Sequence, residues 1–310
     1  MSNRHFAHAA LLLNAAIWGA ALPIVKPALA EVTPFQYLFY RYLLAVIFSL
    51  PVIIYLIHRY RPRLKTLLTI VLMETLGVGL ALSLLYFGLS HTSSLQASFL
   101  ALTSPVFIVV GGILFLREKE ERHEAVGLIL AIIGALILTL SPILSGESVQ
   151  LKLSSLSGNI LVFGHNLCWA AYVILAKKYY RSVPKLLIGF VSPLVGLIFF
   201  FILTLATLPH SPNLDLLGSF ILPLSIGPVF WAALYMGLLG SIVAVPAYIY
   251  GNNAIEASEA SLFAYLQPLI TIPLATLWLH EQLTPMMITA LVLTTLGVII
   301  AEKRTKKVPH

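Results

Sequence analysis

Glu74 stands among Leu72, Met73, Leu76 and Val78, a carboxylate in the middle of a long apolar stretch. In hydrocarbon an ionisable side chain is costly unless it faces a cavity or a partner. Two readings of it stand side by side: a site that takes a proton or a cationic group of a ligand, or a structural ion pair with Arg41 or Lys26, the basic residues that fall inside apolar stretches. Arg41 is expected to pair structurally and Lys26, near a helix end, to snorkel. Asn14 and Trp18 are four apart and share a helix face, as do His165 and Trp169. Gln267 precedes Pro268 and would lie beside a carbonyl freed by that proline, either contacting a ligand or bonding between helices. Tyr235 and Tyr265 lie deep, whereas Tyr37, Tyr42, Tyr55, Tyr179 and Tyr180 read as an interfacial belt. The candidate ligand-binding set is therefore Asn14, Trp18, Glu74, His165, Trp169, Tyr235, Tyr265 and Gln267, with Glu74 also the candidate for proton coupling.

The chain carries no signature of catalysis. It has no phosphate-binding Gly-x-x-x-x-Gly-Lys loop, no His-Glu-x-x-His zinc pair and no Gly-x-Ser-x-Gly elbow. One cysteine, Cys168, excludes an intramolecular disulfide and a cysteine metal cluster. No enzyme activity, cofactor or metal is expected. The net charge of +7 suggests acidic partners only until its distribution is read, and nucleic acid is not an expected partner.

The elements that position these residues follow from composition. With 59% hydrophobic and 10% charged residues and a mean hydropathy of +0.95, the chain is an integral membrane protein, all-α, since no segment alternates as a barrel strand would. Ten spans are expected, at about 8–29, 34–57, 66–89, 95–116, 124–143, 157–180, 184–208, 228–250, 258–280 and 285–302. The first imitates a signal peptide but is long, contains Trp18, Pro23 and Lys26, and is expected to remain as a helix. Sixteen of the 19 lysines and arginines fall on one side, which the positive-inside rule makes cytoplasmic, together with both termini. Glu256 and Glu259 read as solvated acids at the start of the ninth span.

The stretch from Gly88 to Ile137 recurs at a shift of 163 positions, matching Gly88 to Gly251, Ser98 to Ser261, Pro105 to Pro268, Glu118 to Glu281 and Gly134 to Gly297. Five spans per copy is odd, so the copies cross the membrane in opposite senses, with repeats expected at residues 1–145 and 146–310. Helix breakers fall at matching places: Gly77 and Gly79 in the third span with Gly237 and Gly240 in the eighth, Pro105 with Pro268. An inverted repeat with paired interruptions is the construction of alternating access about a midplane site. Ordinary close packing of glycine is the alternative.

The segments Asn14-Ala-Ala-Ile-Trp-Gly19 with Lys26, Arg41-Tyr-Leu-Leu-Ala45, Leu102-Thr-Ser-Pro105 with Leu116-Arg-Glu118, and Leu266-Gln-Pro268 with Leu279-His-Glu281 resemble the EamA branch of the drug/metabolite transporter superfamily over about residues 8–302. The resemblance implies ten helices in two inverted five-helix repeats around a central cavity, and export of metabolites, amino acids or drugs across the bacterial inner (plasma) membrane. Sugar-phosphate carriers of that superfamily use paired cavity lysines and arginines, which this chain lacks, so a phosphorylated substrate is disfavoured. The expectation is a secondary exporter of a small amphipathic metabolite such as an amino acid, coupled to protons through Glu74, with the lipid bilayer and the substrate as its partners and a monomer or homodimer as its state. The alternatives are an uncoupled facilitator of the same fold and a membrane ligand-binding protein without turnover.

Overall fold

The computed structural model describes residues 3–116, 122–144, 149–180, 183–207, 216–255 and 263–302. Glu118, Glu256, Glu259, Ser261 and the basic tail from Lys303 onward lie outside the described residues. Within them every element is helical. Eight helices are long and apolar enough to cross a membrane, and Phe263–Trp278 and Pro285–Ile300 are shorter apolar helices. They occupy the ten expected places. The segment that imitates a signal peptide is a helix, Asn3–Val25, packed inside the bundle against the eighth and ninth spans.

Local chemistry explains where the spans begin and bend. The second span, Pro34–Tyr60, starts with a capping box in which Thr33 and Gln36 satisfy each other's backbone N–H groups, with Pro34 where no donor is needed. The third runs Leu64–Glu74, then a π-helical stretch Thr75–Leu80, then Ala81–His91. The eighth repeats this with Gly227–Leu234, a π-helical stretch Tyr235–Val243 and Ala244–Ala254. Both wide turns end at equivalent residues, since Leu80 and Val243 differ by the repeat shift of 163. The fourth span breaks at Leu102 and Thr103, between Ser94–Ala101 and Ser104–Leu116, and the ninth replaces the matching turn with a 3-10 helix, Phe263–Leu266. The interruptions read from glycine and proline are real, and they are paired.

Packing obeys a pseudo-two-fold. The fifth helix, Arg122–Leu140, packs along the tenth, Pro285–Glu302, and the second along the seventh, Lys185–Thr207. The sixth helix, Val149–Tyr179, packs on the third and fourth, and the first helix packs on the eighth and ninth. Exchanging the halves maps the first two contacts onto themselves and the last two onto each other. The bundles are therefore not the sequence repeats themselves: the two halves trade their first helices, giving one bundle of spans 3, 4 and 6 and one of spans 1, 8 and 9.

The seam between the fifth and tenth helices shows how close the match is. A Cβ on Gly134 would sit 2.8 Å from the Ala290 carbonyl oxygen and 3.0 Å from the Thr294 nitrogen. One on Gly297 would sit 2.5 Å from both the Gly127 carbonyl oxygen and the Ala131 nitrogen. Gly127 and Ala290, and Ala131 and Thr294, are themselves repeat mates. Only glycine permits backbones this near, which lets apolar helices associate by van der Waals contact where lipid supplies no hydrophobic drive. Gly297→Val should therefore cost about 1–3 kcal/mol by overpacking and lower the melting temperature of the detergent-solubilised protein. Gly227→Ala, whose added Cβ meets nothing within 4 Å, should leave it unchanged.

Candidate functional site

A helix interrupted in hydrocarbon leaves backbone groups that water cannot reach, so neighbouring side chains must serve them. Asn14 Nδ2 in the first helix donates to the Ala244 carbonyl oxygen at 3.0 Å, where the eighth span's π-helical stretch returns to α-helix. His165 Nδ1 in the sixth helix bonds the Ala81 carbonyl oxygen at 2.8 Å, at the same point of the third span. Asn14 and His165 are equivalent in sequence at a shift of 151, as are Trp18 and Trp169, and Ala81 and Ala244 are equivalent at 163. The two bonds are thus one bond drawn twice. Asn14 and His165, expected to offer polar contacts to a ligand, are buried and spend these nitrogens on the scaffold.

The aromatic residues beside them are half-buried. Trp18 stacks on Tyr248 with centroids 5.8 Å apart, and its Nε1 points at the Gly240 carbonyl oxygen at 3.5 Å. Tyr235 donates to the Ile17 carbonyl oxygen at 2.8 Å, tying the eighth span to the first. In the other bundle Trp169 stacks on His165 and lies 5.2 Å from Tyr172. Six of the eight candidates therefore form two related groups, Asn14 with Trp18 and Tyr235, and His165 with Trp169 and Glu74. Tyr265 stands apart from both, packed with Val106, Leu128, Ala131 and Val298. Gln267 presents its backbone to Gly19, where an added Cβ would lie 2.7 Å from its carbonyl oxygen. Its side-chain amide makes no hydrogen bond to the described residues, so it is not the interhelical link that one reading expected.

Glu74 is 2% exposed. Its Oε1 accepts from Tyr172 at 2.9 Å and Tyr180 at 2.8 Å, and its Oε2 accepts from Ser192 at 2.5 Å. Three hydroxyls from the sixth helix, its end and the seventh helix thus surround a carboxylate of the third. The ion pair with Arg41 or Lys26 is not formed. Arg41 Nη1 donates to Tyr86 at 3.0 Å, its guanidinium lies 5.1 Å from the centre of the Tyr42 ring, and its Nε has no hydrogen-bond partner among the described residues. Two-fold geometry separates the charges. Ser192 is the repeat mate of Arg41, and Gly237, the mate of Glu74, packs on Arg41 with an added Cβ 2.8 Å from its carbonyl oxygen. Acid and base occupy the same helix crossing in opposite halves.

Lys26 does not snorkel. Its Nζ donates to the carbonyl oxygens of Leu89 at 2.6 Å and Thr92 at 2.7 Å, with Ser90 at 3.4 Å. The tyrosine belt also needs correction, because Tyr37 is 0% and Tyr42 4% exposed and Tyr180 serves Glu74; Tyr55 and Tyr179 remain on the surface. Sequence reasoning missed Tyr172 and Asn166. Tyr172 lies three positions past Trp169, on the neighbouring part of one face, which was the available signal. Asn166, fully buried, donates to the Leu100 carbonyl oxygen and to Thr103 Oγ1, each at 2.8 Å, and accepts from Ser104 at 2.7 Å, which secures the break in the fourth span.

The family model of the EamA-like transporter family matches residues 5–140 and 156–302. An Archaeoglobus fulgidus protein named an uncharacterized transporter is 24% identical over 89% of this chain and 90% of its own length. The Bacillus subtilis uncharacterized transporter YcxC is 24% identical over 97% of this chain and 95% of its own. A solved crystal structure aligns with a TM-score of 0.59 over 97% of each chain at 14% identity, a likeness of fold alone.

The hydroxyl cage makes a prediction about coupling between residues. Tyr172→Phe removes one donor from a buried carboxylate and should cost about 1–3 kcal/mol, read as a lower melting temperature in detergent. In a Glu74→Gln background the same change should cost clearly less, because no charge is left to serve. Equal costs in both backgrounds would show that Tyr172 stabilises the fold independently of Glu74.

Proposed function

From the premise that this chain belongs to the EamA-like transporter family and is an integral membrane transporter, we propose that it is a secondary exporter of a small amphipathic metabolite such as an amino acid. The observation that carries the reading is the repetition of one interrupted helix, with its side-chain support, in both halves: Asn14 on Ala244 and His165 on Ala81. Such paired, internally supported interruptions suit two bundles that rock about a shared midplane site. Trp18, Trp169 and Tyr235 supply its aromatic surface and Gln267 a side-chain amide, while Asn14 and His165 hold the backbone behind it. Glu74 binds a proton or a cationic substrate group. The bias of the basic residues supports cytoplasmic termini, and the reading puts the protein in the inner (plasma) membrane with repeats at residues 1–145 and 146–310.

One observation favours a second reading. Glu74 is closed off by three hydroxyl donors, which suits a structural acid in a facilitator that couples to no ion. Flux of labelled amino acids decides between them in inside-out and right-side-out vesicles, with and without a proton gradient. The proposal expects uptake into inside-out vesicles, stimulated by an inward-acid gradient in wild type and at least about tenfold less so in Glu74→Gln. Accumulation only in right-side-out vesicles contradicts export, and flux indifferent to the gradient and to Glu74→Gln selects the facilitator.

A further inference from the structure

The turn between the third and fourth spans, residues 89–95, belongs to the bundle of spans 3, 4 and 6, yet it is held at both ends by the other bundle. Lys26, at the end of the first helix, donates to the last carbonyl groups of the third span, Leu89 and Ser90, and to Thr92. Glu281, between the ninth and tenth spans, accepts from Ser94 N–H at 2.7 Å on one oxygen and from Leu95 N–H at 2.9 Å on the other. A cation on a helix C-terminus and a carboxylate on the next N-terminus each oppose the local helix dipole, and all five contacts cross from one bundle to the other. Glu281 is aimed by an unusual backbone: His280 adopts a left-handed φ of 55°, and the Glu281 N–H is anchored on the Ala275 carbonyl oxygen at 2.9 Å. Only two described non-glycine residues have positive φ, and the other closes the second span at Arg61.

We propose that Lys26 and Glu281 form a clasp on the non-cytoplasmic face, closed in this structure, which must release the turn before the site can open outward. The inference rests on the transport reading, since only a protein whose bundles separate needs a releasable contact there. The clasp is suited to reversible use. Its acceptors and donors are helix-terminal backbone groups that water can satisfy once the face opens, so breaking it strands no polar group in lipid. The seam between the fifth and tenth helices, at Gly134 and Gly297, is instead packed backbone against backbone.

Pulsed electron resonance tests this in liposomes, with spin labels on His91→Cys and Gln282→Cys in a Cys168→Ala background. These positions are exposed on either side of the clasp. The closed state gives a short distance. Glu281→Gln, which keeps the shape and loses the charge, and Lys26→Met, tested separately in case one fails to fold, should each raise the ratio of long to short distances roughly tenfold, the equivalent of about one charge-assisted hydrogen bond. Folding is checked by monodispersity and an unchanged distance between labels placed within one bundle. Unchanged His91–Gln282 distances in whichever variants fold would overturn the clasp. Opening without flux of any tested amino acid would leave the clasp standing and count against the transport reading.

Discussion

A backbone that leaves regular α-helix inside hydrocarbon must find partners within the protein, because lipid offers none. Most of the distinctive contacts of this structure answer that requirement. Asn14 and His165 serve the ends of the π-helical stretches, Asn166 serves the break in the fourth span, Thr271 donates to the Gly19 carbonyl oxygen at 2.6 Å, and Lys26 and Glu281 serve the two helix ends of one turn. Remove these side chains and the interrupted helices would either straighten or expose amides to lipid. Interruption and support therefore come as pairs, and duplication delivers one of them twice, as Asn14 on Ala244 and His165 on Ala81.

Where the halves differ, the difference is chemical. The crossing of spans 3 and 7 carries Glu74 and Ser192, and its counterpart between spans 8 and 2 carries Gly237 and Arg41. The fourth span's break is fastened by Asn166, whereas the matching position in the first helix is Ala15, and the ninth span there presents the Gln267 amide, without a hydrogen bond among the described residues. An ancestral symmetric scaffold thus holds an asymmetric interior, which is what a protein needs if it is to recognise an asymmetric small molecule.

The ten spans, their helical nature, the inverted repeat and the paired interruptions were legible in the sequence, because hydropathy, charge bias and a fixed repeat shift report them directly. So was the equivalence of Asn14–Trp18 with His165–Trp169. The partners of Glu74 were not, since Tyr172, Tyr180 and Ser192 lie 98, 106 and 118 residues away and periodicity carries no information across spans. Tyr37 and Tyr42 misled because a tyrosine near a helix end looks the same in sequence whether it meets lipid headgroups or, as here, the inside of the bundle. Lys26 misled in the same way, since a lysine reaching a helix terminus and one reaching water share one pattern. The exchange of first helices between halves was invisible, because the repeat defines which segments are equivalent and not which of them pack together.

Hydrogen exchange measured by mass spectrometry on the purified protein tests the dependence of interrupted backbone on its supporting side chain most directly. Asn14→Leu should accelerate exchange around residues 235–254 and leave residues 75–91 protected, while His165→Leu should do the reverse. Protection unchanged in both stretches, or lost equally across the whole protein in either variant, would contradict it.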